Sequence, residues 1–532
     1  MDDELKGLLE QLKAGQISRR DFVQKGLALG MTVSSLGLLL HKAAPALAAA
    51  ARQAPRVRRG GTLRATIEGP STGLDPALLQ DDATNSICHN IYNFVVRIDP
   101  HLVPYPDLAT TWHSSPDGRT WTFPLHRGVR FHSGKPFGAD DVIYTVKRIQ
   151  NPKTGSAAAS NLQGITRIEK VDEYTVRFHL KAPNPDFPVV LADYHMCIVE
   201  NNFKGNYTKS PSGTGPFMLK DFVPADHATI VRNPHYWQAP YPYLDAVKFV
   251  YLPQPSTQVA ALKSGTVDFI IRLSPAQAAP LAGAAGIKVT SLSGTGFLNM
   301  RVRSDRPPFN DNRVRLAMKY VVDRKGIEAA VSRGVAPLGN DQPISPAFVR
   351  WYTDFGLRPR DVARAKALLA QAGYPHGLNV KLYASPIVGQ VDFAVAYQSL
   401  AADAGINVSI NQEPWANYLA RDWLEVPFGI TSWTARPTPM EFLHLIYKSG
   451  GIWNEGHYSN PKLDALIDAV GSELEPAKRK AQFKQIEQFL SNDGPSIIPF
   501  YSVFVYALRE RVQGLPLMSD GFHYYKTAWL SS

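Results

Sequence analysis

The most informative stretch of the chain is LATTWHSSPDGRTWTFPLHRGVRFHSGKPFGADDVIYTVKRI, Leu108 to Ile149. Asp117-Gly118 marks a turn, and Trp121, Phe123 and Leu125 after it alternate as one face of a strand. Val129 and Phe131 continue the pattern. Asp140 then opens a helix with Val142, Ile143 and Val146 on one side. Asp140 and Asp141 suit the exposed N–H groups and the dipole of a first turn, a structural role rather than a catalytic one. A second clean strand is EYTVRFHL, Glu173 to Leu180, with Tyr174, Val176, Phe178 and Leu180 on one face.

Upstream, GTLRATIE (Gly61 to Glu68) alternates as a first strand, and the loop GPSTGLDP (Gly69 to Pro76) follows it. IYNFVVRI, Ile91 to Ile98, is a β-branched and aromatic run. Helical spacing dominates after Asn310. Val314, Ala317, Met318 and Val321 fall at i, i+3, i+4 and i+7, which buries one helix face. Ala365, Leu368, Leu369 and Ala372 repeat the spacing, with Gly373 where a C-cap belongs. Asn460-Pro461 is an N-cap and first turn for a helix with Leu463, Leu466, Ile467 and Val470 inside. A last helix carries Phe483, Ile486 and Leu490. Strands interleaved with helices make an α/β protein.

With 532 residues the chain exceeds one core and predicts two or more domains. Hydrophobic content of 44% and charge of 19% are those of a globular protein. The net charge of +11 suits nucleic acid, an anionic membrane surface or an anionic small ligand. No basic run of five and no zinc-finger or RNA-binding signature occurs, so no nucleic-acid partner is expected.

At the N-terminus, Ser18-Arg19-Arg20-Asp21-Phe22 precedes an uncharged segment, Gly26 to Leu40, and then Ala46-Leu47-Ala48. A paired Arg, an apolar stretch and a small-x-small site read as a leader over residues 1–48 that resembles the twin-arginine export signal. The apolar stretch, about fifteen residues, is short of the roughly 20 that span a bilayer. Cleavage after Ala48 leaves a soluble, exported, periplasmic protein. Cys88 and Cys197 are the two cysteines; an oxidising compartment permits a disulfide, and the sequence leaves that pairing open against two buried thiols. There is no CxxC, no HExxH and no His pair at helical spacing, so neither a metal nor a cofactor is expected.

The stretch quoted first, read as A-x-x-W followed by DGxTWxFxLxxGVxFHxGxPFxAxDV, resembles the signature of the peptide/nickel/opine solute-binding proteins of ABC importers (family 5). SGTGPFMLKDF (Ser212 to Phe222), VRNPHYW (Val231 to Trp237), PPFNDNRVRLAMKYVVDRKGI (Pro307 to Ile327), ARAKALLAQAGY (Ala363 to Tyr374) and HYSNPKLDALI (His457 to Ile467) follow in the family's order. The resemblance implies a two-lobed periplasmic-binding-protein fold of class II type. Lobe 1 would hold 52–300 plus 501–532, with an extra subdomain at roughly 95–200, and lobe 2 would hold 301–500. It also implies a monomer that captures a small-molecule ligand by hinge closure and delivers it to an ABC permease of the inner membrane.

No catalytic set is present: there is no GxSxG elbow and no Walker loop. The glycine pairs at 213/215 and 294/296 lack the rest of a dinucleotide fingerprint. His132 has no nucleophile partner and reads as structural. The expectation is a binding protein rather than an enzyme, with an extracytoplasmic hydrolase as the remote rival.

In dipeptide and oligopeptide binders of the family, the loop after a Gly/Ser-Trp pair supplies an Asp for the ligand's α-ammonium. Here Ser432-Trp433 is followed by Thr434, Ala435 and Arg436, so Arg436 takes that place. A cation there repels an ammonium and pairs with an anion. Beside it, Pro437, Thr438 and Pro439 stiffen the loop. The segment after Leu382 to Pro386 lacks the family's carboxylate-binding Arg and offers Ser385 and Gln390 instead. Trp415 and Tyr418 match an EW-x-x-Y segment. The expected ligand contacts are thus Arg436, Trp433, Trp415, Tyr418, Thr438, Trp453 and Asn454. The expected ligand is an anion (opine-like, a modified amino acid or a sugar acid), with an ordinary di- or oligopeptide as the alternative.

Overall fold

The computed structural model describes residue 40 and residues 57–531 apart from 388 and 520. The leader at 1–48, residue 40 apart, lies outside the described residues. Among the described residues no helix is long and apolar enough to cross a membrane.

The first strand, β1 (Thr62–Ile67), leads through a loop to α1 (Asp82–Ile91). Asp81 caps this helix by accepting from the Thr84 N–H, and Ala83, Ile87 and Ile91 are buried. No helix is legible here in the sequence, because Ile91 merges into the β-branched run that follows it. A separate four-stranded sheet is then inserted. Its strands are β2 (His113–Ser114), β3 (Thr120–Pro124), β4 (Ile165–Asp172) and β5 (Thr175–Leu180), in the order β2-β3-β5-β4. Gly118, at a φ of +66°, makes the turn before β3. The helix α2 (Ala139–Gln150) begins at a capping box in which Asp141 accepts from the Gly138 N–H. Val142, Val146, Phe123, Val176 and Phe178 are fully buried together.

The chain returns to the main sheet through β6 (Phe217–Val223), β7 (His227–Arg232), β8 (Ala246–Tyr251) and β9 (Phe269–Leu273). The long β10 (Ile287–Val302) follows. Beyond it come α3 (Asn312–Tyr320), α4 (Val362–Gln371), β11 (Leu378–Ala384), α5 (Gln390–Ala402), β12 (Ile406–Gln412) and β13 (Phe428–Trp433). The helices α6 (Pro461–Ser472) and α7 (Pro476–Asp493) precede the last long strand, β14 (Tyr501–Arg509). The strand order is β12-β11-β13-β10-β14-β9-β1-β8-β7-β6, a mixed sheet with helices packed against it.

This is a two-lobed α/β fold of the periplasmic-binding-protein type. One apolar core gathers Leu63, Ile87, Phe123, Phe249 and, from the chain's end, Tyr506 and Tyr525. Two others gather Met300, Val314, Phe393 and Phe428, and Phe442, Leu463, Phe483 and Leu490. The helix faces read from spacing bury as expected: Val314, Ala317, Met318 and Val321 are all enclosed. Cys88 and Cys197 are buried and unbonded, each thiol donating to a backbone carbonyl, of Leu74 and Tyr194 respectively.

β10 carries the sheet across. Ile287 to Ser293 pair with β14, and Phe297 to Val302 pair with β13, with a slip in register between Ser293 and Phe297. The slip contains Gly294, Thr295 and Gly296. A Cβ on Gly294 would stand 2.8 Å from Ser502 Oγ, and one on Gly296 would stand 2.5 Å from the Trp433 carbonyl oxygen. The glycines are there because the strands approach too closely for a side chain. Gly213 and Gly215 have the same reason, since a Cβ on either meets the Ile91 carbonyl within 2.5 Å.

Candidate functional site

At the end of β13, Trp433 pairs with Phe297 of β10, and the chain turns into the Arg436 loop. Thr295, fully buried in the register slip, pins that loop. Its hydroxyl accepts from the Arg436 N–H and donates to the Arg436 carbonyl, both at 2.8 Å. Pro437 and Pro439 flank Thr438, which caps a short helix, Pro439–Phe442. That helix brings Glu441 under the arginine: Nε of Arg436 lies 3.8 Å from Glu441 Oε2. The two side chains are 26% and 35% exposed, so both remain reachable from solvent. Arg436 Nε is itself buried and makes no hydrogen bond.

The surroundings of this pair are acidic. Burial pushes the Glu441 carboxyl up to about 7, against the pull of Arg436 and with added repulsion from Asp193 and Asp186. Tyr194 also faces it. Burial and then Asp193 raise the Tyr194 hydroxyl, Arg436 lowers it, and Asp82 raises it. The Arg436 loop therefore lies beside the Asp186–Tyr194 region. A bidentate pair joins the same surfaces, with Arg479 Nη1 and Nη2 each 2.6 Å from an Asp186 oxygen. Thr438 lines the crevice beside it, between Leu102, Asp186 and Val189 on one side and Phe348 and Trp351 on the other.

Trp433 is engaged from behind. Its indole Nε1 donates to Glu455 Oε1 at 3.0 Å. Glu455, wholly buried, also accepts from Trp423 Nε1 (2.6 Å), Thr431 Oγ1 (2.7 Å) and Asn299 Nδ2 (2.6 Å), and Arg301 Nε lies 3.9 Å away. Trp423, Trp433 and Trp453 stand around this carboxylate with ring centroids 5.9–6.5 Å apart. A buried carboxylate needs its lone pairs met, and four donors meet them here. Sequence reading missed Glu455; the signal available was an acid in an otherwise apolar, aromatic loop, GGIWNEGHY.

The other expected contacts are distributed differently. Tyr418 is fully buried within the second lobe, its hydroxyl 3.2 Å from Arg301 Nη2, and Trp415 stacks on it at 5.7 Å. Asn454 braces its own loop, donating to the Lys448 and Tyr458 carbonyls and accepting from the Tyr458 N–H. Gln390 bridges the Ser385 N–H and the Ser432 hydroxyl, so it steadies the strand end before Trp433. The structure thus brings Arg436, Trp433, Thr438 and Trp453 into one neighbourhood and sets Trp415 and Tyr418 apart from it. His132 is half-buried, lies 3.1 Å from the Gly215 carbonyl through Nε2, and is lowered to about 4 by desolvation. Among the described residues no group of three His, Cys, Asp or Glu could hold a metal ion.

Residues 103–454 match the family model of the bacterial extracellular solute-binding proteins, family 5 (middle). The chain belongs to this family. It is 26% identical over 491 residues to Heme-binding protein A of Haemophilus influenzae, covering 85% of this chain and 89% of that one. To the Dipeptide-binding protein of Escherichia coli K12 it is 26% identical over 500 residues, covering 86% and 92%. A solved structure, the PBP AgaA in complex with agropinic acid from A. tumefacien R10, is similar with a TM-score of 0.70 at 25% identity, covering 89% and 99%. As a family 5 protein this chain is the substrate-binding component of an ABC importer. Its relatives are binding proteins, not enzymes. Their three named ligands differ, so the family sets the task and leaves the cargo to the residues of the cleft.

Proposed function

We propose that this protein captures an anionic small molecule between its lobes, with Arg436 as the residue that reads the charge. The observation that carries the reading is the Arg436 guanidinium. It is held on a braced loop, is partly exposed, has a single carboxylate neighbour at 3.8 Å, and faces the first lobe. A guanidinium with donors to spare takes a carboxylate in a two-pronged grip. The similar AgaA structure holds an acid, agropinic acid, in keeping with an opine-like ligand, a modified amino acid or a sugar acid. Trp453, half-buried against Trp433, offers apolar surface near the charge, and Thr438 lines the adjoining crevice. We place the lobe crossings at Gly294–Gly296, where β10 passes from β14 to β13, and at the start of β14. The working form is a monomer exported through the twin-arginine leader, active in the periplasm, and docking on a permease.

The test is calorimetry of purified protein against opines, N-acylated amino acids and sugar acids, alongside di- to pentapeptides. Binding of an acid in the first group that is lost in Arg436→Asp is the expected result. Retained affinity in that variant removes Arg436 from the site.

A second reading has its own observation. Glu441 places a carboxylate beside Arg436, with Asp193 acting on Glu441 in turn, and the two acids could hold a peptide's α-ammonium, in keeping with the similarity to a dipeptide-binding protein. Broad stabilisation by peptides, with none by the acids, would favour it.

A further inference from the structure

The first lobe meets the Arg436 loop with an arginine of its own. Arg272 is the fourth residue of β9, a strand whose other side chains are all buried, while 44% of the Arg272 side chain is exposed. β9 runs parallel to β1 in the main sheet. Arg272 Nη1 lies 2.6 Å from Oδ2 of Asp82, the first residue of α1, which is the helix that follows β1. The carboxyl ends of parallel strands, beside the helix that starts there, are where ligands of open α/β sheets sit.

Two lines of contact join Arg272 to Arg436. Along the hinge, the Arg272 guanidinium lies 4.8 Å over the ring of Phe504, and Phe504 abuts Gly294, next to the Thr295 that pins Arg436. Across the lobes, a Cβ on Gly521 would stand 2.8 Å from Arg272 Nη2. The neighbouring Phe522 ring is 5.4 Å from Tyr194, whose hydroxyl feels both Arg436 and Asp82. Both lines run between the same two arginines, and Tyr194 lies within reach of Arg436 and of the Asp82 that pairs with Arg272. Each arginine carries one partly exposed carboxylate partner, Glu441 at 3.8 Å and Asp82 at 2.6 Å. Arg479, by contrast, is 3% exposed and spends both Nη groups on Asp186. A guanidinium has five donors, so one carboxylate leaves room for another.

We propose that Arg272 is a second anion-reading residue of this cleft and that the ligand carries two acidic groups, one met by each lobe. The inference rests on the reading of Arg436 as a ligand contact and adds the ligand's second charge. A diacid gripped from both lobes gains its charge-assisted bonds only when the lobes are together. It therefore favours the closed form by the difference, as a transport ligand must. A monoacid held by Arg436 alone gains from one lobe only.

The experiment is calorimetry of the full chain with a panel of N-(1-carboxyethyl) amino acids and their N-ethyl counterparts, which lack only the second carboxylate. In the wild type the diacid should bind at least about tenfold tighter than its N-ethyl partner, the worth of one charge-assisted contact. Arg272→Gln should bring the diacid down to the affinity of the monoacid and leave the monoacid unchanged, whereas Arg436→Gln should weaken both. Asp82→Asn, which frees Arg272, should keep or strengthen diacid binding; loss of binding there would show the Arg272–Asp82 pair to be structural and overturn the proposal. Wild-type affinity for the diacid in Arg272→Gln, with Arg436→Gln still defective, overturns this inference alone and leaves the Arg436 reading standing. If no acid of the panel binds the wild type, the Arg436 reading fails and this inference goes with it.

Discussion

Arg301 and Arg436 stand toward opposite ends of one strand, β13, and are held in opposite ways. Arg301 lies on β10 opposite Gly429 of β13, and Arg436 stands just beyond the end of β13. Arg301 is fully enclosed and bonds the Val426 and Trp423 carbonyls and the Tyr418 hydroxyl, with Glu455 alongside. Both of its Nη groups are committed inside the protein. Arg436 has one loose ion pair and a partly exposed side chain, and the two share a buried Nε without a hydrogen bond. A guanidinium whose Nη groups are filled in the interior is architecture. One whose backbone is clamped while its head is undersupplied is fit to take a ligand.

The sharpest way to break this contrast is Arg301→Met. It strands Glu455 and two carbonyls in the interior, and it should lower unfolding free energy by about 3–5 kcal/mol, the usual cost of breaking a buried charge arrangement. Urea unfolding followed by tryptophan fluorescence reads it directly. Arg436→Ala should do the reverse. Stability should change by less than about 1 kcal/mol, as for other exposed pairs. Affinity for the acid ligand should fall by about 1.5–3 kcal/mol, the range for bonds to charged groups, as read by calorimetry.

Thr295→Val sharpens the comparison without touching either arginine. It removes the hydroxyl that both accepts from and donates to the Arg436 backbone, leaving a peptide N–H and carbonyl unmet at a cost of about 1–3 kcal/mol. Ligand affinity should drop with the melting temperature, whereas an Arg436 that works independently of its clamp would lose stability alone.

The smallest effect distinguishes the two carboxylates. Glu455 has four donors, while Glu441 has one distant partner and titrates at about 7, above its ordinary 4.5. For Glu441 the folded-state pKa is raised, so its contribution to stability is complete below about 4.5 and is lost as pH rises through 7. Binding follows the same sign. Neutral Glu441 does not compete for Arg436, so acid affinity should be highest below pH 7 and fall by up to about tenfold per pH unit above it. Glu441→Gln should flatten that profile; an unchanged slope would assign the titration to another group.

Much of the architecture could be read from local pattern. The alternation in Trp121 to Leu125 and Tyr174 to Leu180, and the helical spacing from Val314, Ala365 and Leu463, predicted elements that the structure contains. The helix at Asp82–Ile91 escaped because its last turn runs into β-branched and aromatic residues of strand character. The glycines at 294 and 296 were visible as a motif without a purpose. Only the contact between β10, β13 and β14 explains why no side chain fits there.

By itself, the sequence determined the alternation of strands and helices, the family motifs and the substitution of a cation at Arg436. These depend on residues close together in the chain, whose spacing alone fixes which face they share. Only the tertiary structure decided what each polar side chain is free to do. Thr295 reaches Arg436 across 141 residues of sequence and Asn299 reaches Glu455 across 156. Tyr418 and Arg436 look equally available in the written chain. Burial in an apolar setting commits the first, and partial exposure with one ion pair at 3.8 Å leaves the second less committed, because desolvation and hydrogen-bond supply are set by neighbours distant in sequence.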